Sequence, residues 1–474
     1  MRYSVATTEP VNNAFLGHLV REDGQEDLCF GLWRPSRGQS RLTALVYRLI
    51  LPKEGEREVH GNASLNGPYL ERVLGEALDD GGGIVFLHSH PARGWQGMSR
   101  DDIRAERLMA PTIMGATGLE LVGMTVANED GVWSARFWTK SKPKQYRAAW
   151  AESVRIAGEK LTAHFNDRLL RPPAHQPTLV RTTSAWGPDA QAALARLRIG
   201  VVGLGSVGSI IAEALARTGV RRVQLLDYQA LEEVNLDRTL HAYRRDATLG
   251  RRKVDVSAKA IRRSTTTKGF KADADPWSVC ENEGYRRALD CDVIFSCVDR
   301  PWGRSVLNYI AYAHLIPVID GGIFVSRTRQ GRLRGADWKA HTVGPGHRCL
   351  LCLGQYDPAL VGADQRGDLE DPRYLESLPD DHPAKANENV FAFSLAVASL
   401  ELMQWIMLVV APLGMGSAGP QSYHLTMGNI EIGEVTCDKG CVFPSLVACG
   451  DTHHAGVGEH KAAQAARRRP SGGS

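Results

Sequence analysis

His88-Ser89-His90-Pro91, followed by Ser99-Arg100-Asp101-Asp102, sets two imidazoles, a hydroxyl and carboxylates within a short length of chain. Histidines at i and i+2 at the end of a strand point to one face and can share a metal, and the Ser-x-x-Asp after them can add an oxygen ligand and a hydroxyl. Three protein ligands leave a fourth position for water. Zinc lowers the pKa of that water to about 7, and a nearby carboxylate can take its proton during attack on a carbonyl. Downstream, Gly203-Leu204-Gly205-Ser206-Val207-Gly208 follows an apolar run and opens a helical one, a setting in which backbone amides and a helix N-terminus hold phosphate. Asp227, about 20 residues on, can bind a ribose hydroxyl. By themselves these features indicate an adenine nucleotide and fit an NAD-dependent dehydrogenase equally well. Cys349-x-x-Cys352 and Cys437-x-x-x-Cys441 can form a four-thiolate zinc site, although three residues separate the second pair where two are usual; buried, unpaired thiols are the alternative.

The elements that must position these groups fall into two blocks of mixed α/β character. In the first, residues 42–51 read as a strand and 69–78 as a helix, Gly81-Gly82-Gly83 turns into the apolar strand 84–87, a helix follows Asp102, and 119–127 with 132–138 form a hairpin. This places a domain over residues 1–140. Residues 140–170 read as helical and charged, and Arg171-Pro172-Pro173 with Pro177 breaks them, so 141–185 is a helical connector and linker. Beyond it, helices at 189–197, 207–218, 253–263 and 304–313 alternate with strands at 199–202, 223–227, 293–297 and 317–320. Such alternation implies a doubly wound, mainly parallel sheet over 186–449. The tail 450–474 is small, polar and basic, without an apolar period, and reads as disordered.

Composition bounds the rest. The 474 residues suit two or three domains, and 43% hydrophobic with 23% charged residues is ordinary for a folded, water-soluble protein. A net charge of +4 gives no broad nucleic-acid footprint. The first ten residues have no apolar h-region, which places the protein in the cytoplasm by default. Residues 390–411 are long enough to span a membrane, but Glu401 and Gln404 interrupt them, so a buried helix is expected. Nine cysteines, five of them without a close-spaced partner, suit reduced thiols.

His88, His90, Ser99 and Asp102 resemble the site of the JAMM (MPN-plus) metalloproteases, which include deubiquitinases and bacterial relatives that trim ubiquitin-like proteins. The resemblance covers roughly residues 10 to 140 and implies that His88, His90 and Asp102 hold zinc while Ser99 stabilises the oxyanion. Eight residues lie between His90 and Ser99, where the family pattern has seven. Asp102 keeps the Ser-x-x-Asp spacing and Asp101 the His-to-Asp distance; Asp102 is the chosen ligand. The family also uses an upstream glutamate as general base, for which Glu26 is the candidate and Glu54, Glu56 and Glu58 are competitors.

Residues 227–238, then Gly250-Arg251-Arg252-Lys253, then Ser296-Cys297-Val298-Asp299-Arg300 resemble the ThiF and MoeB branch of the ubiquitin-activating superfamily. Here the resemblance implies that Asn235, Arg238 and Lys253 contact ATP phosphates, Asp227 holds ribose and Asp299 supports magnesium. It also implies a homodimer and, in many members, the four-cysteine zinc site. Where many relatives carry a thioester cysteine, residues 353–436 contain no cysteine. Either the thiol comes from elsewhere, such as Cys449, or the adenylate passes directly to a partner's nucleophile. Together the two resemblances imply an enzyme that trims a small ubiquitin-like protein and adenylates its C-terminus for a separate conjugating enzyme, as in bacterial operons associated with antiphage defence. Activation of a sulfur-carrier protein for cofactor or amino-acid biosynthesis is the alternative, and a non-catalytic scaffold that binds ubiquitin-like proteins is a second.

Overall fold

A computed structural model describes residues 1–60, 62–143, 145–379, 385 and 388–468. Contacts divide the chain into two units: Met1–Arg171 with Ala313–Leu315 and Ala448–His453, and Pro172–Tyr312 with Ile316–Val447 and His454–Ser474.

In the first unit the elements run β1 (Arg2–Thr8), α1 (Glu9–Leu19), β2 (Leu28–Arg37), β3 (Arg41–Ile50), β4 (Arg57–His60), β5 (Asn62–Leu65), α2 (Gly67–Asp80), β6 (Gly83–His90), α3 (Arg100–Thr117), β7 (Leu121–Ala127), β8 (Trp133–Lys142), β9 (Gln145–Trp150), β10 (Ser153–Ala157) and β11 (Leu161–Phe165). Nine strands form one mixed sheet in the order β11-β10-β1-β3-β2-β6-β7-β8-β9. Period-two alternation gives each face its own core. Val85 and Leu87 of β6 pack with Phe15 and Leu19 of α1, whereas Ile84 and Phe86 pack with Tyr69 of α2 and Ile113 of α3. By the same parity His88 and His90 continue the face that α3 covers.

The stretch 140–170, expected to be helical, is instead strand, and the first unit reaches Arg171 rather than 140. The charges along it resemble those of a solvated helix face. Val154 and Ile156 favour a strand, residues 153–157 are buried throughout, and Gly158-Glu159-Lys160 makes the tight turn that pairs Ala157 with Leu161.

The second unit runs α4 (Val180–Trp186), α5 (Pro188–Arg196), β12 (Arg198–Val202), α6 (Ser206–Arg217), β13 (Arg222–Leu226), α7 (Arg244–Thr248), α8 (Lys253–Ser264), β14 (Lys271–Asp275), α9 (Asn282–Ala288), β15 (Val293–Ser296), α10 (Pro301–Ala313), β16 (Val318–Arg327), β17 (Leu333–Val343), α11 (Pro358–Arg366), α12 (Pro372–Ser377), α13 (Phe391–Val410), β18 (Gln421–His424), β19 (Asn429–Ile432) and α14 (Lys461–Arg468). Its sheet has the order β14-β13-β12-β15-β16-β17-β18-β19. The pairs from β14 to β16 are parallel and those from β16 to β19 antiparallel, so a doubly wound half continues into a meander. Helix α13 is long and apolar enough to cross a membrane by length and composition. Glu401, Gln404 and Trp405 are nonetheless among its buried residues, and Gln404 Oε1 accepts a hydrogen bond from Thr342 of β17 at 3.1 Å.

The tail also differs from its expectation. Residues 469–474 lie outside the described ones, but 461–468 are helical, and Arg467 of α14 donates to both carboxylate oxygens of Glu281 at 2.6 and 2.7 Å. Its guanidinium lies 4.0 Å from the Trp277 ring centroid. A segment held by charge and cation–π contacts shows no apolar period in its sequence.

Candidate functional sites

Strand β6 ends in His88 and His90, and α3 begins immediately after Ser99, its N-cap. Ser99 Oγ accepts the Asp102 amide at 3.0 Å while the Asp102 carboxylate accepts the Ser99 amide at 2.6 Å, a reciprocal cap that fixes the Asp102 side chain. That carboxylate faces both imidazoles: Nε2 of His88 lies 3.3 Å from one oxygen and Nε2 of His90 3.4 Å from the other. The two Nε2 atoms are 3.2 Å apart. A tetrahedral ion with bonds of about 2.0–2.1 Å sets its ligand atoms roughly 3.3–3.4 Å apart, so the three residues fit zinc. Asp101, one position earlier, is exposed.

Strand β2 pairs with β6, Leu28 opposite His88, and the Ser89 amide donates to Asp27 O at 3.0 Å, which brings the residues before β2 to the histidines. Glu26 is half-buried there. Burial pushes its carboxyl above the ordinary glutamate value, the His90 charge opposing and that of Asp102 adding. Of its competitors, Glu54 and Glu58 are exposed, and Glu56 accepts from Arg72 Nε at 2.9 Å.

Behind the histidines is a network that motif spacing did not reveal. Thr125, opposite His88 on β7, places its Oγ1 3.3 Å from His88 Nε2 and accepts from Arg136. Arg136 of β8 donates through Nε to Glu106 of α3 at 3.0 Å, and both side chains are fully buried. Glu106 lies one turn beyond Asp102. Gly123 makes room for the pair, since a Cβ there would sit 2.5 Å from Glu106 Oε2 and 2.6 Å from Arg136 Nε. The visible signal was a lone arginine inside the aromatic strand 133–138.

In the second unit, β12 leads into the glycine loop and α6. Gly203 has φ +90°, and a Cβ at Gly208 would lie 1.9 Å from Gly203 O, so neither position accepts a side chain. A Cβ at Gly205 would meet nothing within 4 Å, and Gly205, the N-cap of α6, has no side chain to cap it. This open cradle fits phosphate. Asp227 accepts the Leu204 and Gln229 amides, each at 2.7 Å, binding the end of β13 to the loop. Burial raises its proton affinity; Lys253 and the amide bonds oppose, and Asp299 adds. Lys253 and Asp299 thus both lie within electrostatic reach of Asp227. Lys253 is buried and donates from Nζ to Gln229 Oε1 at 2.7 Å. Asn235 and Arg238 share a single turn with local contacts: Asn235 Oδ1 accepts the Glu232 amide at 3.1 Å, and Arg238 donates to Val234 O at 2.7 Å.

Cys349, Cys352, Cys437 and Cys441 place their sulfurs within 4.8 Å of one another. Cys349 and Cys441 Sγ are 3.6 Å apart, against roughly 3.8 Å for tetrahedral ligands at the zinc–thiolate bond length. Gly440 at φ +87° lets the three-residue spacer turn. Amides of Cys349, Cys352 and Asp438 donate to Cys437, Cys349 and Cys352 sulfurs at 3.3–3.4 Å, which suits thiolates. Outside this cluster, Cys29, Cys280, Cys291 and Cys449 are buried, and burial pushes the Cys297 thiol well up.

The model of the ThiF family matches residues 179–413. The molybdopterin-synthase adenylyltransferase of Escherichia coli (strain K12) is 29% identical over 170 residues, 35% of this chain and 62% of that protein. The ubiquitin-like modifier-activating enzyme 5 of Oryza sativa subsp. japonica is 31% identical over 123 residues, 23% of this chain and 28% of that protein. The aligned stretches thus span less than two thirds of either relative's own length. Among solved structures, that of E. coli MccB with ATP aligns at 16% identity and TM-score 0.42, covering 57% of this chain and 74% of the other. Residues 179–413 of this chain are therefore a ThiF family domain.

Proposed function

We propose that the second unit adenylates the C-terminal carboxylate of a small ubiquitin-like protein. The observation that carries this reading is the glycine cradle tied through the Asp227 carboxylate to the neighbourhood of Lys253 and Asp299. A carboxylate is a poor electrophile. Its oxygen attacks the α-phosphorus of ATP, a bond to that phosphorus forms, the bond to the bridging oxygen breaks, and pyrophosphate leaves. Magnesium, supported by Asp299, supplies charge neutralisation. The chain's own part is to hold the phosphates on the loop amides and α6, bind ribose at Asp227, and offset developing charge with Arg238 and Lys253. The two relatives named above are, by their names, an adenylyltransferase and an activating enzyme of ubiquitin-like modifiers. ATP–pyrophosphate exchange dependent on an added ubiquitin-like protein tests the reading: Arg238→Ala and Asp299→Ala should each abolish it, and a wild type inactive with magnesium and partner present would refute it.

The first unit, on this proposal, is a zinc peptidase acting on the same protein terminus. Zinc held by His88, His90 and Asp102 supplies the Lewis acid. Glu26 accepts and returns the proton, and Ser99 offers its hydroxyl at the mouth of the helix cap. Hydrolysis of a ubiquitin-like protein carrying a C-terminal extension should require zinc and disappear in His88→Ala. After adenylation, direct transfer to a partner's nucleophile is favoured over a thioester on this chain, because every cysteine outside the four-sulfur cluster is buried or has a raised thiol pKa. Direct transfer keeps the sulfur-carrier reading beside that of a separate conjugating enzyme.

A further inference from the structure

Helix α13 reaches the glycine loop through a chain of three polar side chains that the loop motif does not include. Val207 of α6 packs against the cluster that Val397 of α13 forms with Ala336 and Trp338 of β17. At the N-terminal ends of the two helices, Ser394 Oγ donates to Asn389 Oδ1 at 3.0 Å, and Asn389 Nδ2 donates to Ser206 Oγ at 2.9 Å. An amide nitrogen can only donate. Ser206 Oγ therefore accepts in this bond, and its own O–H is left for another acceptor. Among the described residues none takes it. Ser206 is the first residue of α6, in the turn whose amides have no partner within the helix. It is half-buried, and the loop beside it is open, since a Cβ at Gly205 would meet nothing within 4 Å. Ser394, at the other end of the chain, is fully buried.

We infer that Ser206 is a phosphate-binding residue of the nucleotide site, its hydroxyl aimed by Asn389 and Ser394 of the α13 start as positioning residues. The inference rests on the phosphate reading of the glycine loop. A phosphate held on the amides of the first turn of α6 stands next to a hydroxyl that has a proton to give, and a hydrogen bond to a charged acceptor is roughly twice as strong as one between neutral groups. The direction of donation is what Asn389 contributes: with the Asn389 amide on its oxygen, Ser206 meets the ligand as a donor. Ser394 in turn holds the carbonyl end of that amide. The glycine motif is local in sequence, whereas this donor depends on a residue 183 positions away.

Isothermal titration of the full chain with Mg-ATP and, separately, with inorganic tripolyphosphate tests this. Ser206→Ala should weaken both compounds by about ten- to hundredfold, the worth of one hydrogen bond to a charged group, and Ser206→Thr, which keeps the hydroxyl, should recover most of the loss. Asn389→Leu, which leaves that hydroxyl free to turn, should cost part of the same amount. In the Ser206→Ala background, Asn389→Leu should cost nothing more, because the group it aims is gone. Losses that add in the double variant would make Asn389 a merely structural link between the helices and overturn the inference. So would wild-type affinity in Ser206→Ala, or a loss for ATP with tripolyphosphate unchanged. A wild type that binds ATP but not tripolyphosphate would put the affinity elsewhere and overturn it too. One that binds neither compound would instead overturn the nucleotide reading beneath it.

Discussion

Glu26 and Asp102 both act on the His90 imidazole, in different states. Burial disfavours the Asp102 charge, but His88, His90 and the Ser99 amide outweigh it and hold the carboxyl well below the usual carboxylate range. Burial dominates at Glu26 and moves it the other way. Two carboxyl groups whose surroundings push them apart suit a ligand and a proton acceptor. Glu26→Gln should therefore lower hydrolysis about 10²–10⁴-fold while the zinc content of the purified protein stays at the wild-type level; a parallel loss of zinc would make Glu26 a structural residue. That His88, His90 and Asp102 come together was legible because two histidines on a strand and an acid at the third position of a helix need only short-range spacing. The Thr125–Arg136–Glu106 network was not, since it joins three elements whose adjacency only the sheet order reveals.

At the scale of the element, the loop between β12 and α6 separates two glycines that look alike in sequence. Gly208 lies against Gly203 O, whereas Gly205 faces open space. Gly208→Ala should abolish ATP binding by titration, and Gly205→Ala should keep a fold that melts normally while weakening phosphate contact; a Gly208→Ala protein that binds ATP normally would count against the loop geometry. Helix α10 gives a pH-dependent case. The Asp364 carboxylate of α11 accepts the Trp302 amide at 3.0 Å, yet burial pushes its pKa up to about 6, with Arg300 opposing. A carboxyl whose folded value exceeds its unfolded one favours folding at low pH and loses that contribution as pH rises through 6. Asp364→Asn should accordingly melt higher than wild type at pH 8, by about 2–4 °C for roughly 1 kcal/mol, and show no gain at pH 4; a lower melting point at pH 8 would show that the ionised acceptor matters more than its burial. Parallel strands and crossover helices were readable because their apolar runs are long and regular. Strands β9 to β11 carry charges that resemble a surface helix, and α14 is held by Arg467 and Ala463 rather than an apolar stripe, so neither showed in the pattern.

For the whole molecule, the two units each gather one candidate zinc site, and the sites differ in what they can contribute. His88, His90 and Asp102 come from two neighbouring elements of a sheet-and-helix core that is already closed by apolar packing. Removing an ion from them should change activity more than stability. The four cysteines instead join the segment after β17 to the segment after β19, two stretches with little regular structure of their own. Metal binding to such segments is coupled to their folding. Wild-type protein should therefore carry about two zinc ions per chain by elemental analysis, and His88→Ala and Cys441→Ser should each carry about one. Only Cys441→Ser should lower a calorimetric transition belonging to the second unit, by several degrees, because loss of the ion frees the paired segments. Equal stability of the two variants would assign the cysteine cluster to packing alone, and a wild type with one zinc that His88→Ala retains would remove the metal from the first unit and the peptidase proposal with it.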